Sequence, residues 1–202
     1  MIKYICVVVF FSTLLGWKHN NADARYCFKI QGMNIVPKSS FALNSIVNSS
    51  GDTLYLVTCS KYVYYPFGDI KSEVDLKSSF LGGFSITTKK DDAKTELEIL
   101  KLHTNKLILS FDGDTTNTMT SYIVQGEINE RGVNFINGIE IGITKADFFK
   151  RFFTFFPKKL ESKYKTVIFE SCVTGIKHVY SFDDNKLHSV TFNCIDCVWK
   201  AE

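Results

Sequence analysis

The residue types in this chain that could do chemistry fall into a few groups, and each makes a definite demand on its surroundings. Cys194-Ile195-Asp196-Cys197 has the spacing of a redox dithiol. That chemistry needs the first sulfur at a helix N-terminus, where the thiolate is stabilised. Here the pair closes a run of strand-forming residues, so a structural role is expected instead. A zinc site built on the same thiols would need two further ligands. His178 and His188 are the nearby histidines, and the turn between them does not make them direct cross-strand partners. They read as solvent-facing or half-buried strand residues. Asp112-Gly113-Asp114-Thr115-Thr116-Asn117 lacks the spaced carboxylates and closing Glu of a calcium loop, and reads as an ordinary turn. There is no Gly-x-Ser-x-Gly, and no pair of carboxylates stands out for glycoside hydrolysis. The sequence therefore assigns no catalytic residue, no metal ligand and no cofactor.

One group points to recognition instead. Tyr62, Tyr64, Tyr65 and Phe67, gathered around Pro66, form the densest aromatic cluster. Aromatic side chains of this kind supply large, stiff contact areas in protein interfaces. The four are the candidate binding surface. Tyr55, Tyr62, Tyr64 and Phe67 are also candidates to line a pocket for a small ligand or glycan, enclosed by strands between Asp52 and Ile128. Core packing is the alternative use of the same residues.

The elements that must position these groups are read from periodicity. In the stretch 138–149, apolar alternation runs into a glycine and then Thr144-Lys145-Ala146-Asp147. A Thr hydroxyl can accept from the backbone N–H three residues on, and an Asp in the first turn suits the positive end of the helix dipole. Phe148, Phe149, Phe152, Phe153 and Phe156 then fall on one face at about 3.6 residues per turn. With Pro157 as the stop, the spacing predicts a helix over 145–156. Three strands follow, over 166–172, 176–182 and 187–194, with turns at Thr174-Gly175 and Asp183-Asp184-Asn185. A helix face made of phenylalanine needs a sheet to lie on.

Upstream the pattern is β-rich: strands over 53–60, 96–103, 106–111 and 122–128, with a hairpin turn about Thr104-Asn105 and a weak helix over 69–81. The expected fold class is α+β, an antiparallel sheet with a C-terminal helix followed by a three-stranded meander. Two arrangements fit: a tandem of two similar units about 70 residues apart, or one β-rich domain to which the C-terminal helix and strands are added. The expected organisation is a β-rich region over 25–136 and a helix-plus-sheet region over 137–202.

The N-terminus bears on the compartment. Lys3, an apolar run over 5–15 and Ala22-Asp23-Ala24 have the layout of a cleavable export signal. The run is too short to span a bilayer of about 30 Å. Cleavage is expected after Ala24, giving a periplasmic or secreted chain with no membrane span. Trp17 stands where a lipoprotein signal would carry cysteine after Leu14-Leu15-Gly16, so no lipid anchor is expected. Without residues 1–24 the chain carries 22 basic and 20 acidic side chains, only three of them Arg (Arg25, Arg131, Arg151). Such a balance excludes a phosphate-tracking surface, and nucleic acid is not an expected partner. Five cysteines remain, and export permits bridges. Cys172 with Cys194, and Cys27 with Cys59, are the candidate pairs; buried free thiols are the alternative.

The C-terminal segment resembles a known group. Ile139-Glu140-Ile141-Gly142-Ile143-Thr144 is similar to the "I-x-x-G-M-[ST]" helix start of the small outer-membrane-assembly lipoproteins and the β-lactamase-inhibitor-protein-like domains of the bacterial envelope, with Ile143 in place of Met. Tyr180-Ser181-Phe182-Asp183-Asp184-Asn185-Lys186-Leu187-His188-Ser189-Val190-Thr191-Phe192 is similar to their "Y-x-F-x-[DN]-x-K-L-x-x-[VI]-x-F" hairpin. The resemblance covers roughly the last 60 residues. It implies a noncatalytic module that presents a sheet face or loops to another envelope protein.

Overall fold

The structure is a computed structural model that describes residues 27–48, 51–79, 81–90, 96–111, 121–173 and 175–194. The expected leader, the loop over 112–117 and Cys197 lie outside these residues. Among the described residues no helix is long and apolar enough to cross a membrane.

The chain is β-rich. It runs β1 (Phe28–Ile30), β2 (Met33–Pro37), β3 (Leu43–Asn48), β4 (Thr53–Thr58), α1 (Lys61–Tyr64), α2 (Glu73–Ser78), β5 (Ser85–Lys90), β6 (Glu96–Leu102), β7 (Asn105–Phe111) and β8 (Ser121–Ile128). It continues with α3 (Lys145–Phe152), β9 (Phe153–Phe155), α4 (Lys158–Lys163), β10 (Thr166–Ser171), β11 (Ile176–Asp183) and β12 (Lys186–Cys194). Nine strands form one sheet in the order β3-β4-β10-β11-β12-β8-β7-β6-β5, and β1-β2-β9 form a small second sheet. Strands from both sides of residue 137 therefore interleave in the large sheet.

The sheet is mixed rather than purely antiparallel, because β4 and β10 run parallel, from Thr53↔Thr166 to Thr58↔Ser171. That pair joins segments more than a hundred residues apart, which local periodicity cannot register. Along β4 and β10 burial alternates residue by residue, so there one face of the sheet is dry and the other wet; on β7 the positions of both faces from Leu107 to Phe111 are buried. The dry face carries Leu54, Leu56, Val167, Phe169, Tyr180, Val190, Phe192, Leu107 and Leu100, all at most 1 % exposed.

Helix α3 packs its rings onto this dry face. Thr144 caps it: the Asp147 N–H donates to Thr144 Oγ1 at 3.1 Å, and the Thr144 hydroxyl donates to Asp147 Oδ2 at 2.7 Å. That hydroxyl, followed by Lys150, holds the Asp147 carboxyl below its usual range. Backbone bonds from Lys145 N to Asn185 O (2.8 Å), Gly142 N to Leu187 O (2.8 Å) and Leu187 N to Ile143 O (2.9 Å) fix the helix start to the β11–β12 hairpin. Gly142 has φ +93°, a left-handed conformation that glycine takes without strain; a Cβ there would also displace the flexible Arg131 guanidinium, 2.7 Å away.

Two boundaries differ from the sequence reading. The helix ends at Phe152, not Phe156. Phe153 takes φ −121°, ψ 140° and begins β9, which pairs with β2 through Pro37↔Phe153 and Val36↔Phe155. Aromatic residues around Thr154 suit an extended chain, and β2 offers an edge to pair with. Phe153 and Phe156 are still buried, while Phe155 is 53 % exposed. Beyond the expected stop, Lys158-Lys159 open a further short helix, α4, after Pro157. The β6–β7 turn is also displaced by one residue. Leu102 pairs with Asn105 across His103-Thr104, with His103 at φ 53°. Asn105 is buried, its side-chain oxygen accepting from the backbone N–H groups of Asn129 and Glu130.

Two substitutions test this packing. Phe152 contacts Phe41, Tyr62, Phe148 and Phe169 with ring centroids 4.7–5.2 Å apart, so Phe152→Ala should cost about 3–5 kcal/mol by chemical denaturation. At Gly126, where β12, β8 and β7 meet, a Cβ would lie 2.5 Å from Leu107 Cδ2 and 3.1 Å from Phe192 Cδ2. Gly126→Ala should cost about 1–3 kcal/mol, and an unchanged unfolding midpoint would mean that the strands are not packed in this register.

Candidate functional site

The aromatic segment after β4 is placed by a single turn of helix. The Ser60 hydroxyl accepts from Tyr62 N–H at 3.2 Å and caps α1. One turn cannot put four successive side chains on one side. Tyr62 and Val63 go into the core, Lys61 is exposed, and Tyr64 and Tyr65 are half-buried. Phe67 is also in the core, stacked on Phe135 at 4.9 Å and near Phe192 at 5.7 Å. Of the four candidate surface residues, Tyr64 and Tyr65 therefore reach the surface, and Tyr62 and Phe67 do not.

Tyr62 belongs to a buried polar trio on the dry face. Its hydroxyl lies 2.8 Å from that of Tyr180, which in turn lies 3.1 Å from His178 Nδ1. Burial pushes the pKa of both phenols well above the ordinary tyrosine value, so both stay protonated. His178 is fully buried, contrary to the expected exposed or half-buried position, because alternation along β11 turns His178, Tyr180 and Phe182 to the same side. Burial holds its pKa down at about 3, opposed in part by the Val63 backbone. Its Nε2 nevertheless has no partner in bonding geometry among the described residues. The imidazole is thus neutral, edge-on to Phe192 at 4.7 Å, and its role is to satisfy the Tyr180 hydroxyl. His188 is exposed on β12.

The disulfide joins neither candidate pair. Cys59 is bonded to Cys172, with Cα atoms 5.1 Å apart. The reason is the parallel register: Thr58 and Ser171 are partners, and the residues that follow them emerge side by side. Cys27 is exposed at the start of β1, and Cys194 is itself in a disulfide. The Cys59–Cys172 bridge closes a loop of 113 residues, a length for which chain-entropy arguments give about 4–5 kcal/mol. Around it lie Tyr64, whose hydroxyl is 3.9 Å from Cys172 Sγ, Tyr65 with Lys61 Nζ 5.7 Å from its ring centre, and Val173, 81 % exposed.

This rim is not a ligand pocket. The cavity bounded by Tyr64, Tyr65, Phe67, Leu109 and Ile123 is about 10 Å³, the volume of one water. Tyr55 lies on the opposite face of the sheet from Tyr62 and Phe67, so these residues do not converge on one enclosed space. Tyr55 instead donates to Glu170, with Lys177 Nζ 3.7 Å from that carboxylate and 5.4 Å from the Tyr55 ring centre.

That trio lies on the wet face, which the sequence reading did not single out as a site. Cross-strand partners line up there as Tyr55, Ile168, Val179, Thr191, Glu127, Lys106 and Lys101 in one row. Next to it run Val57, Glu170, Lys177, Asn193, Gln125, Ile108 and Ile99. The alternation in each strand was the available signal; what it lacked was the strand order that sets the rows side by side.

No family model matches the sequence, and comparison with curated proteins and with solved structures finds no match either.

The buried imidazole predicts a pH dependence with a definite sign. His178 binds a proton at about 3 in the folded chain, against 6.5 as its ordinary value. Below 6.5 the unfolded chain takes up a proton that the folded chain refuses, so stability should fall as pH drops through this window, by about 1.4 kcal/mol per unit. Denaturation curves of the native chain and His178→Gln should diverge in slope below pH 6.5. Parallel curves would mean that the imidazole protonates within the fold.

Proposed function

We propose that this chain is an exported, noncatalytic protein-binding module of the bacterial envelope, periplasmic or secreted, and that it binds its partner on the wet face of the nine-stranded sheet. The observation that carries the reading is the composition of that face. Half-exposed Tyr55, Tyr122, Ile99, Ile168 and Val179 alternate with exposed Gln125, Glu127, Thr191 and Asn193. Aromatic and β-branched groups ringed by polar ones make up the usual anatomy of a protein interface. The dry face has no such freedom, because α1, α3 and the small sheet occupy it. The resemblance of the last 60 residues to envelope binding domains agrees with this use of a sheet.

The same sheet supports the reading of the chain as two similar α+β units. Its middle order, β10-β11-β12-β8-β7-β6, is symmetric about the antiparallel β12–β8 seam. On each side a helix precedes the strands, α2 on one and α3 on the other. In this reading the two meanders share one continuous surface, and the seam, at Thr191↔Glu127 and Asn193↔Gln125, is the centre of the contact.

A small-ligand or glycan carrier is the second reading; with a cavity of only about 10 Å³ beside Tyr64 and Tyr65, it would hold its ligand on an open surface rather than in a pocket. One experiment separates the two. Thr191→Arg with Gln125→Arg changes only exposed positions and should alter stability by no more than about 0.5 kcal/mol each. The double variant should fail to retain the protein that the native mature chain captures from envelope extract. Undiminished capture would sink the sheet-face reading, and a specific hit on a glycan array with no captured protein would favour the carrier.

A further inference from the structure

At the start of α3, on the side of the molecule away from the wet sheet face, a cavity of about 190 Å³ opens between α3, α4 and the β11–β12 turn. Lys145, Ala146, Lys158, Glu161, Ser162 and Asn185 line it. Two features of its wall are unusual for a surface depression.

The first is Lys145, 6 % exposed. Its ammonium lies 5.6 Å from the Phe182 ring centre, and among the described residues it has no ion pair and no hydrogen bond. Its stem is buried while the ammonium opens onto the cavity, as long cationic side chains bury their methylenes and keep the charged head wet. Burial and the charge of Lys165 hold its pKa below the ordinary lysine value, with Glu161 opposing them. Glu161, on the same cavity wall, does not come within the 4.0 Å of an ion pair, and burial raises its own carboxyl.

The second feature is the helix terminus. In the first turn of α3 the Lys145 N–H donates to Asn185 O, the Asp147 N–H to the Thr144 hydroxyl and the Phe148 N–H to Thr144 O. The Ala146 N–H is left with no acceptor among the described residues, at the end of the helix where the dipole is positive. A backbone donor at a helix start and an ammonium that no described carboxylate pairs within ion-pair distance thus face one cavity.

We propose that this cavity binds a carboxylate, which accepts hydrogen bonds from the Ala146 N–H and the Lys145 ammonium. The charge count fits a monoanion: Lys145 and Lys158 against Glu161 leave one net positive charge on the wall. A phosphate dianion would leave charge unanswered in a cavity whose sides are largely lysine stems and the Ala146 methyl. The carboxylate can belong to a small organic acid or to the side chain of a glutamate in a peptide. This site is independent of the sheet face, so its failure leaves the proposed function untouched.

The test is an amide-detected NMR titration of the full mature chain at constant ionic strength, with acetate, doubly blocked glutamate and inorganic phosphate as separate probes. Acetate or blocked glutamate should shift the Ala146 amide saturably, and whichever binds more tightly identifies the source of the carboxylate. Lys145→Met, which keeps the stem over Phe182, should weaken binding at least about tenfold, or about 1.4 kcal/mol. Glu161→Gln, which removes the resident negative charge, should tighten it in a chain whose fold is otherwise undisturbed. The proposal is overturned if neither carboxylate shifts Ala146 saturably, if phosphate binds more tightly than both, or if neither variant changes the affinity.

Discussion

One constraint governs this molecule: a broad sheet has to keep a single face dry with a cover made of short pieces. Among the described residues no α-helix exceeds eight residues, and helices of that length are marginal on their own in water. They exist because their rings have somewhere to go. Phe148 alone meets Phe169, Tyr180 and Phe182 with centroid separations of 4.9–5.9 Å. Each phenylalanine taken fully from water contributes about 1.5–3 kcal/mol, enough to hold a turn or two of helix in place. The cover and the sheet are thus stable only together.

The polar groups inside that dry layer follow the same logic. Tyr62 arrives from α1 and Tyr180 from β11, and each hydroxyl is answered by the other or by His178. Three buried polar side chains so paired fix where the single turn of α1 must sit over the sheet, because a shifted turn would leave hydroxyls unanswered in an apolar layer. The neutral imidazole is a structural acceptor in this arrangement, and the wet face is left as the surface on which recognition residues can vary.

Much of the secondary structure was legible locally. The Thr144 cap, the Asp184-Asn185 turn with φ of 44° and 60°, and the strands β4, β6, β7, β8, β10, β11 and β12 are set by neighbouring residues, and alternation or turn chemistry announces them. What was not legible is what depends on distant partners. Phe153 to Phe155 carry helical spacing and strand-forming side chains at once, and only the presence of β2 decides between them. Cys59 and Cys172 could be paired only by knowing that β4 and β10 lie parallel. The candidate surface suffered most: the spacing of Tyr62, Tyr64, Tyr65 and Phe67 marks an aromatic cluster but does not say which rings a one-turn helix hides. The Lys145 cavity had no sequence signal beyond a helix start, since its other wall comes from α4, a short helix beyond the expected stop at Pro157 that periodicity did not announce.

The parallel junction between β4 and β10 also orders events during biogenesis. When β4 has just been made, its β3 neighbour is already present, but the strand that covers its other edge is still more than a hundred residues away along the chain. Throughout that interval Tyr55, Val57 and the backbone groups along that edge stand open to any extended segment nearby, a recognised invitation to mispairing. The covalent closure beside Thr58 cannot form until β10 has docked. It therefore records that the long-range half of the sheet has assembled.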